Sequence, residues 1–260
     1  METRKIILKT DEEIKIMAEG GKKLGRILEE VIKKAKPGVG TRELDNFAEE
    51  LIKKAGGRPS FKMVPKYKWA TCLCVNEVVV HGIPNSYKLK EGDILGIDVG
   101  MYYKGFHTDT AWTLRVQNPK SKIQNPNDKF LNTGIVALEK AIGVAKVGNY
   151  LGHISKTIQE TIEDAGYSVV KSLVGHGVGR KLHEEPQIPG FLKGKIKVSA
   201  PLQIGMTLAI EVIYNQGGKE VVFKNDDGWT IATCDGKLSG LFEHTIAVTE
   251  KGPIILTQTP

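Results

Sequence analysis

The sequence predicts an α+β protein made of two pseudo-symmetric halves, and two observations carry that prediction. The first is an internal repeat: Leu28, Ile32, Ala35, Lys36, Gly38, Ile52, Ala55 and Gly56 recur 110 residues later as Leu138, Ile142, Ala145, Lys146, Gly148, Ile162, Ala165 and Gly166. The second is that each copy has helical periodicity and is followed by short strand-like runs. Two copies fit a duplicated domain, because a solenoid needs at least about three repeats.

Within each copy, an amphipathic helix ends at a Lys-x-Gly turn, and a second helix closes at a glycine C-cap. Thr41 reads as the N-cap of the second helix of the first copy. Strands are expected over Thr71–Val80, Ile94–Met101 and Gly105–Val116 in the first half. In the second half they are expected over Ser168–Val174, Thr207–Tyr214, Glu220–Phe223, Thr230–Thr233 and His244–Thr249. The halves span about residues 10–116 and 130–250, and the whole chain, 1–260, reads as one catalytic domain. Between them Gln117–Phe130, rich in Asn, Pro and Lys, reads as an exposed connector.

Composition sets the limits. With 260 residues, 40% hydrophobic and 26% charged, the chain can bury a sizeable core and has the balance of an ordinary globular protein. The opening METRKIILKTDEEIKIM lacks the apolar core of a signal peptide. No run approaches the ~18 apolar residues of a membrane helix. Three cysteines without metal-finger spacing, Cys72, Cys74 and Cys234, predict a reduced cytoplasmic setting. The net charge of +7 comes from lysines scattered along helical stretches, first of all a solvated face. A weak affinity for polyanions such as a ribosome surface is the functional reading of that charge, and no specific nucleic-acid motif accompanies it.

The chemistry lies in five scattered groups: Asp98, Asp109, His176, Glu211 and Glu243. Gly92–Asp98 and Gly205–Glu211 are equivalent, each running from a turn glycine through a strand to a carboxylate six residues later. A hairpin turn around Tyr103–Gly105 folds Asp98 and Asp109 onto adjacent strands, where facing aspartates repel unless a cation lies between them. Four carboxylates sharing a cleft would take up protons unless metal ions neutralised them. The oxygen-rich set suits divalent first-row ions, with two such ions about 3.5 Å apart as a standard hydrolytic arrangement. Each of these residues alone is more simply a solvated charge or a satisfied core group; their number and placement argue otherwise.

The histidines divide by context. His176 lies in Gly175-His-Gly-Val-Gly-Arg180, where flanking glycines permit close backbone approach. His183 follows seven residues later, on the far side of that loop. His81, in Val80-His81-Gly82, repeats the strand–His–Gly pattern and reads as a proton-handling partner. His107, two residues before Asp109, reads as a supporting group, His244 points away from the cluster by alternation, and His153 is structural.

Cys72-Leu-Cys-Val-Asn-Glu-Val-Val-Val-His-Gly-Ile-Pro84, Ile97-Asp98-Val-Gly with Phe106-His-Thr-Asp109-Thr, Gly175 through Pro186, Ile210-Glu211 and Glu243-His-Thr-Ile246 together resemble the methionine aminopeptidases. The resemblance runs from about Ile6 to Val248 and implies the pita-bread fold, a curved antiparallel sheet covered by helices. Only 28 residues separate His183 from Glu211, which resembles type 1 members rather than type 2, with their long helical insertion.

The resemblance implies that Asp98 chelates one metal and His176 and Glu211 the other, with Asp109 and Glu243 bridging both. Two divalent ions (iron, manganese, cobalt or zinc) would activate a bridging hydroxide. Glu211 would shuttle the proton, His183 stabilise the oxyanion and His81 orient the amide. Phe61, Tyr67, Cys72, Leu182 and Trp229 would line the methionine pocket, and carbonyls of Asn76 and Val78 with Ser239 would hold a structural sodium or potassium ion. The substrates would be N-termini of nascent polypeptides whose second residue is small, acted on by a monomer away from any membrane.

Departures from the family pattern are Val212 for a proline after Glu211, Leu182 for a phenylalanine, and Pro189-Gly190. They touch the pocket shape and no ligand. Two alternatives remain: an X-Pro aminopeptidase or dipeptidase of the same fold, which usually carries an additional N-terminal domain, and a non-catalytic binding protein, which typically loses ligands.

Overall fold

The computed structural model describes residues 5–118 and 127–258. It begins with two helices, α1 (Asp11–Lys34) and α2 (Thr41–Lys54). Strands β1 (Arg58–Pro59), β2 (Thr71–Val75), β3 (Val78–Val80), β4 (Ile94–Tyr103) and β5 (Phe106–Arg115) follow. The second half opens with α3 (Asp128–Gly143) and α4 (Leu151–Asp164). It continues with β6 (Ser168–Val169), β7 (Val174–Gly177), β8 (Glu184–Pro189), β9 (Thr207–Asn215), β10 (Val221–Phe223), β11 (Ile231–Thr233), β12 (Ser239–Thr249) and β13 (Gly252–Ile255).

The repeat is visible in the helices. α2 and α4 begin and end at the same offset of 110 residues that the sequence repeat has. Gly38, Gly148, Gly56 and Gly166 all take left-handed φ near +85°, between +82° and +89°, as the turns and C-caps require. α1 starts with a capping box: the Glu13 N–H donates to Thr10 Oγ1 at 3.3 Å, and the Thr10 N–H donates to Glu13 Oε2 at 3.0 Å.

Thr41 departs from its expected role. It is the first residue of α2, and Gly40 stands at the N-cap. Its hydroxyl instead donates to the Asn85 carbonyl and accepts from the Asn85 N–H, so a tertiary contact has taken the capping oxygen.

The principal sheet is antiparallel throughout, in the order β1-β4-β5-β12-β9-β7-β8, with β2 on β4, β6 on β9 and β13 on β12. β12 joins the halves: it pairs with β9 over nine residues but with β5 only at Glu243–Ala111 and His244–Thr110. All four helices pack on one face. Ile97, Val99 and Met101 meet the first helix pair, and Ile210, Val212 and Phe242 meet the second, all fully buried. Strand alternation then aims the residues between them at the opposite face, which a second sheet, β10-β11-β3, flanks.

Three strand expectations change. The run Thr71–Val80 is broken at Asn76, whose φ of +56° turns the chain. Its side chain accepts from the Ile94 N–H and donates to Asp93, so β2 joins the large sheet and β3 the small one. The run Ser168–Val174 divides into β6 and the start of β7. β12 begins five residues before the expected His244, which places Glu243 mid-strand. Of the connector Gln117–Phe130, residues 119–126 lie outside the described residues, and Asp128–Phe130 already belong to α3.

α1 lies close to the C-terminal segment because Gly21 lacks a side chain: a Cβ there would sit 2.4 Å from the Leu256 carbonyl oxygen. We expect Gly21→Ala to destabilise the protein by about 1–3 kcal/mol through overpacking against backbone, outweighing a helix-propensity gain of about 1 kcal/mol. A urea midpoint equal to or above that of the parent protein would refute this packing constraint.

Candidate metal centre and its pocket

The β4–β5 hairpin closes on Lys104 and Gly105, both with left-handed φ (+46° and +96°), the combination of a two-residue type I′ turn. Its register sets Asp98 opposite Ala111 and Asp109 opposite Gly100. The two aspartates are therefore diagonal neighbours on one face and not the directly facing pair the hairpin argument expected. In the other half Glu211 on β9 stands directly opposite Glu243 on β12, and Glu243 is also opposite Ala111 on β5. β7 brings His176 beside Ala209.

These strands bring together all five of the candidate ligands. Asp109, His176 and Glu243 each offer a ligand atom within 4.8 Å of the others. Glu211 Oε1 lies 3.5 Å from His176 Nε2, and Asp98 lies near enough to Asp109 for each carboxyl to perturb the other's protonation. The His176 Nδ1 lies 2.8 Å from the Gly177 carbonyl. Only a protonated Nδ1 can bond that oxygen, so in the neutral ring Nε2 carries the lone pair facing the carboxylates.

Burial governs the charge state of every group. It pushes the Asp98, Glu211 and Glu243 carboxyls well above the usual range, and the neighbouring carboxylates push them further. Burial also raises Asp109, to about 7. The same loss of solvent holds His176 down at about 4, with His183 lowering it further, and lowers His81 and His183 themselves. Among the described residues, Asp98 Oδ1 and Glu243 Oε1 are buried acceptors with no hydrogen-bond donor. Acceptors left so are costly unless a cation meets them.

Beside the carboxylates opens a cavity of about 290 Å³. All of the expected pocket residues, Phe61, Tyr67, Cys72, Leu182 and Trp229, line it together with His81 and His183. Tyr67 is the hub: its ring lies 5.0 Å from Trp229 and 6.3 Å from Phe61, both edge-on. Its hydroxyl donates to the Thr71 carbonyl at 2.9 Å and lies 3.2 Å from Cys72 Sγ, which satisfies the polar end and leaves an apolar wall. His81, at φ +56°, follows β3 and meets Trp229 at 6.2 Å. The His183 ring lies 4.5 Å from that of His176.

The far wall escaped the sequence reading: Val80, Leu173, Val174, Ile213 and Leu241 line it, with Ser172. Alternation alone could have found Ile213 and Leu241, two residues beyond Glu211 and before Glu243 on the same face. Ser172 and Leu173 carry no comparable signal, since they sit in the irregular link between β6 and β7. The three remaining histidines are accounted for. His107 meets Ser60 Oγ at 2.9 Å and the Tyr102 ring, His244 turns to Thr110 and Thr257, and His153 caps α4 through the Tyr150 N–H. Asn76 and Ser239 are neighbours, the Ser239 N–H donating to the Asn76 carbonyl at 2.9 Å, and Val78 opens β3 two residues on.

The model of metallopeptidase family M24 matches residues 15–250. The chain is 45% identical to the methionine aminopeptidase of Clostridium perfringens over 97% of its own length and 98% of that protein. It is 46% identical to methionine aminopeptidase 1 of Bacillus subtilis, with 97% and 99% covered. The crystal structure of the Thermotoga maritima methionine aminopeptidase superposes with a TM-score of 0.91 at 42% identity, covering 98% of this chain and all of that one. The prolidase of Pyrococcus furiosus shares the fold (TM-score 0.77) at 24% identity, and this chain covers only 66% of it. Between β8 and β9 the described structure has only a short 3-10 turn, Ile196–Val198, where a type 2 enzyme would carry its helical insertion. This chain belongs to metallopeptidase family M24 and, within it, to the type 1 methionine aminopeptidases.

Proposed function

We propose that the whole chain acts as one catalytic domain that removes the initiator methionine from nascent polypeptides whose second residue is small. The observation that carries this reading is a buried cluster of four carboxylates and a neutral histidine opening onto an aromatic, sulfur-containing pocket. The cluster fits divalent cations. Among the described residues two of its buried oxygens lack any donor, its carboxyls are raised by burial and all but Asp109 by neighbouring carboxylates as well, and His176 Nε2 faces them.

Asp98 would hold one ion, His176 and Glu211 the second, and Asp109 and Glu243 both; iron, manganese, cobalt or zinc all suit this donor set. When bound, such ions supply Lewis acidity and bring the pKa of water toward neutrality. Glu211 takes the proton from the attacking water and returns it to the departing amide nitrogen. His183, neutral because it is buried, donates a hydrogen bond to the carbonyl oxygen as negative charge develops there. His81, beside Trp229, orients the scissile amide.

The methionine side chain lies among Phe61, Tyr67, Cys72, Leu182 and Trp229, where a thioether gains from aromatic edges and sulfur. Leu182 is smaller than an aromatic residue and leaves this pocket wider. The carbonyls of Asn76 and Val78, with Ser239, would hold a sodium or potassium ion; the Asn76 carbonyl keeps a second lone pair beyond its bond to Ser239. A cytoplasmic monomer with a weak electrostatic attraction to the ribosome surface completes the reading. It is consistent with the charge of +7 and with the lack, among the described residues, of any helix long and apolar enough to cross a membrane.

Methionine should be released from Met-Ala-Ser, with no cleavage of Ala-Pro peptides, and a chelator should abolish the activity until a divalent ion is restored. The reverse preference would favour the X-Pro reading. Asp109→Ala should abolish activity, and Glu211→Ala should lower kcat by about 10²–10⁴-fold with the fold retained. Full activity in either variant would rule out these roles.

The cluster also predicts a pH dependence. In the folded, metal-free state Asp109 keeps its proton up to about pH 7, whereas the unfolded chain releases it near about 4. The folded state then binds more protons, so this group's contribution to stability falls as pH rises through that window. In chelator, Asp109→Asn should therefore stabilise the protein increasingly between these two limits, and saturating divalent ion should reverse the sign. Urea titrations at both ends of the window read the effect. A gain confined to low pH would contradict it.

A further inference from the structure

Outside the metal centre, the most telling group is a buried lysine ahead of α1. Lys9 is only 6% exposed. Its backbone N–H donates to the Gly205 carbonyl at 2.7 Å, tying the segment to the turn that leads into β9. Its ammonium group pairs with the Glu184 carboxylate, the two side chains being 2% and 3% exposed, and also donates to the Ile7 carbonyl at 3.1 Å. The lysine stem crosses Gly179 so closely that a Cβ there would stand 2.3 Å from Lys9 Cε.

Glu184 in turn closes the loop that carries His183. Its Oε1 accepts from the Lys181 N–H at 3.0 Å, while the Gly179 N–H donates to the Lys181 carbonyl at 3.0 Å. The His107 N–H holds the Gly179 carbonyl from below at 2.7 Å. Arg180 pairs with Glu13 at the start of α1, a second tether from the same N-terminal segment. Leu182 and His183, the two residues of this loop that line the cavity, have no side-chain hydrogen bond of their own among those the structure describes. Leu182 is held by packing against Phe61, Tyr67 and Cys72, and His183 by its ring contact with His176, so the direction of both side chains also depends on the loop backbone.

A buried ion pair is a poor way to gain stability, because desolvating both ions offsets their attraction, whereas losing one partner leaves an uncompensated charge. What the pair does supply here is direction. The Lys9 charge keeps the Glu184 carboxylate inside, where it can accept from Lys181.

We propose that Lys9 is a positioning residue for His183: paired with Glu184, it holds the 179–184 loop in the one arrangement that points His183 at the substrate carbonyl. The N-terminal segment thus acts on the catalytic loop through Glu184. This proposal rests on the oxyanion role given to His183 above.

A double-mutant cycle with Lys9→Met and His183→Ala tests it. K9M alone should lower kcat by about 10- to 100-fold, as small misplacements of a reacting group do, with KM little changed. In the H183A background K9M should cause no further loss, because the residue it positions is gone. Calorimetric binding of manganese to K9M should match that of the parent protein. An equal loss from K9M in both backgrounds, or unchanged kcat in K9M alone, would overturn the proposal. Should K9M fail to fold, the double variant Lys9→Met/Glu184→Gln, which leaves no buried charge uncompensated and keeps a carbonyl acceptor for the Lys181 N–H, carries the same cycle with the same expectations. Wild-type turnover in H183A itself would instead remove the role of His183, and that result would be visible before Lys9 is altered.

Discussion

Mutual repulsion among four buried carboxylates is the constraint on which the rest of this structure depends. Asp98, Asp109, Glu211 and Glu243 share one face of one sheet, each pushed above its ordinary pKa by burial and most by one another as well. Nothing in an apolar core favours such a set, since isolated buried charges cost far more than hydrogen bonds recover. The proposed cation-binding role would supply the physical reason the arrangement is tolerated. The opposite face is packed without polar groups of this kind. Four helices cover that side with fully buried Leu, Ile, Val and Phe, so folding is driven from the face that does no chemistry.

The same burial sorts the histidines. Taken out of water, His176, His183 and His81 stay neutral at physiological pH, which leaves His176 the lone pair that its proposed ligand role needs and leaves His183 and His81 one N–H each to donate. The backbone fixes their direction. The Gly177 carbonyl selects the tautomer of His176, and the left-handed conformation of His81 turns its ring toward Trp229. The Lys9–Glu184 pair extends that logic to His183, with an element remote in sequence helping to constrain the loop that carries it.

Much of the site was legible because its signals are local. The duplicated helices, their positive-φ glycines and the Lys104–Gly105 hairpin follow from periodicity and turn chemistry, which act over a few residues. The placement of Asp98 and Glu211 at equivalent positions followed from the repeat, and alternation correctly turned His244 away from the cluster. The misreadings were all tertiary. Thr41 gives its hydroxyl to Asn85 and not to its own helix. Asn76 breaks a continuous β-like run because its side chain is claimed by β4 and Asp93. β8, with little alternation to mark it, forms only because β7 offers it an edge.

The sequence by itself determined the inventory: two copies of a helix pair, strands with alternating faces, five ligand-type residues, and an aromatic and sulfur-bearing set of pocket residues. Tertiary structure alone decided the distances. Whether Asp98 faces Asp109 directly or diagonally depends on hairpin register, and whether Glu243 meets Glu211 depends on β12 pairing with β9 across the whole strand. Those pairings join residues tens of positions apart, and no local preference specifies them. They are set when the helix-facing side chains pack, because a shift of one residue would turn the apolar face to the cleft and the carboxylates into the core.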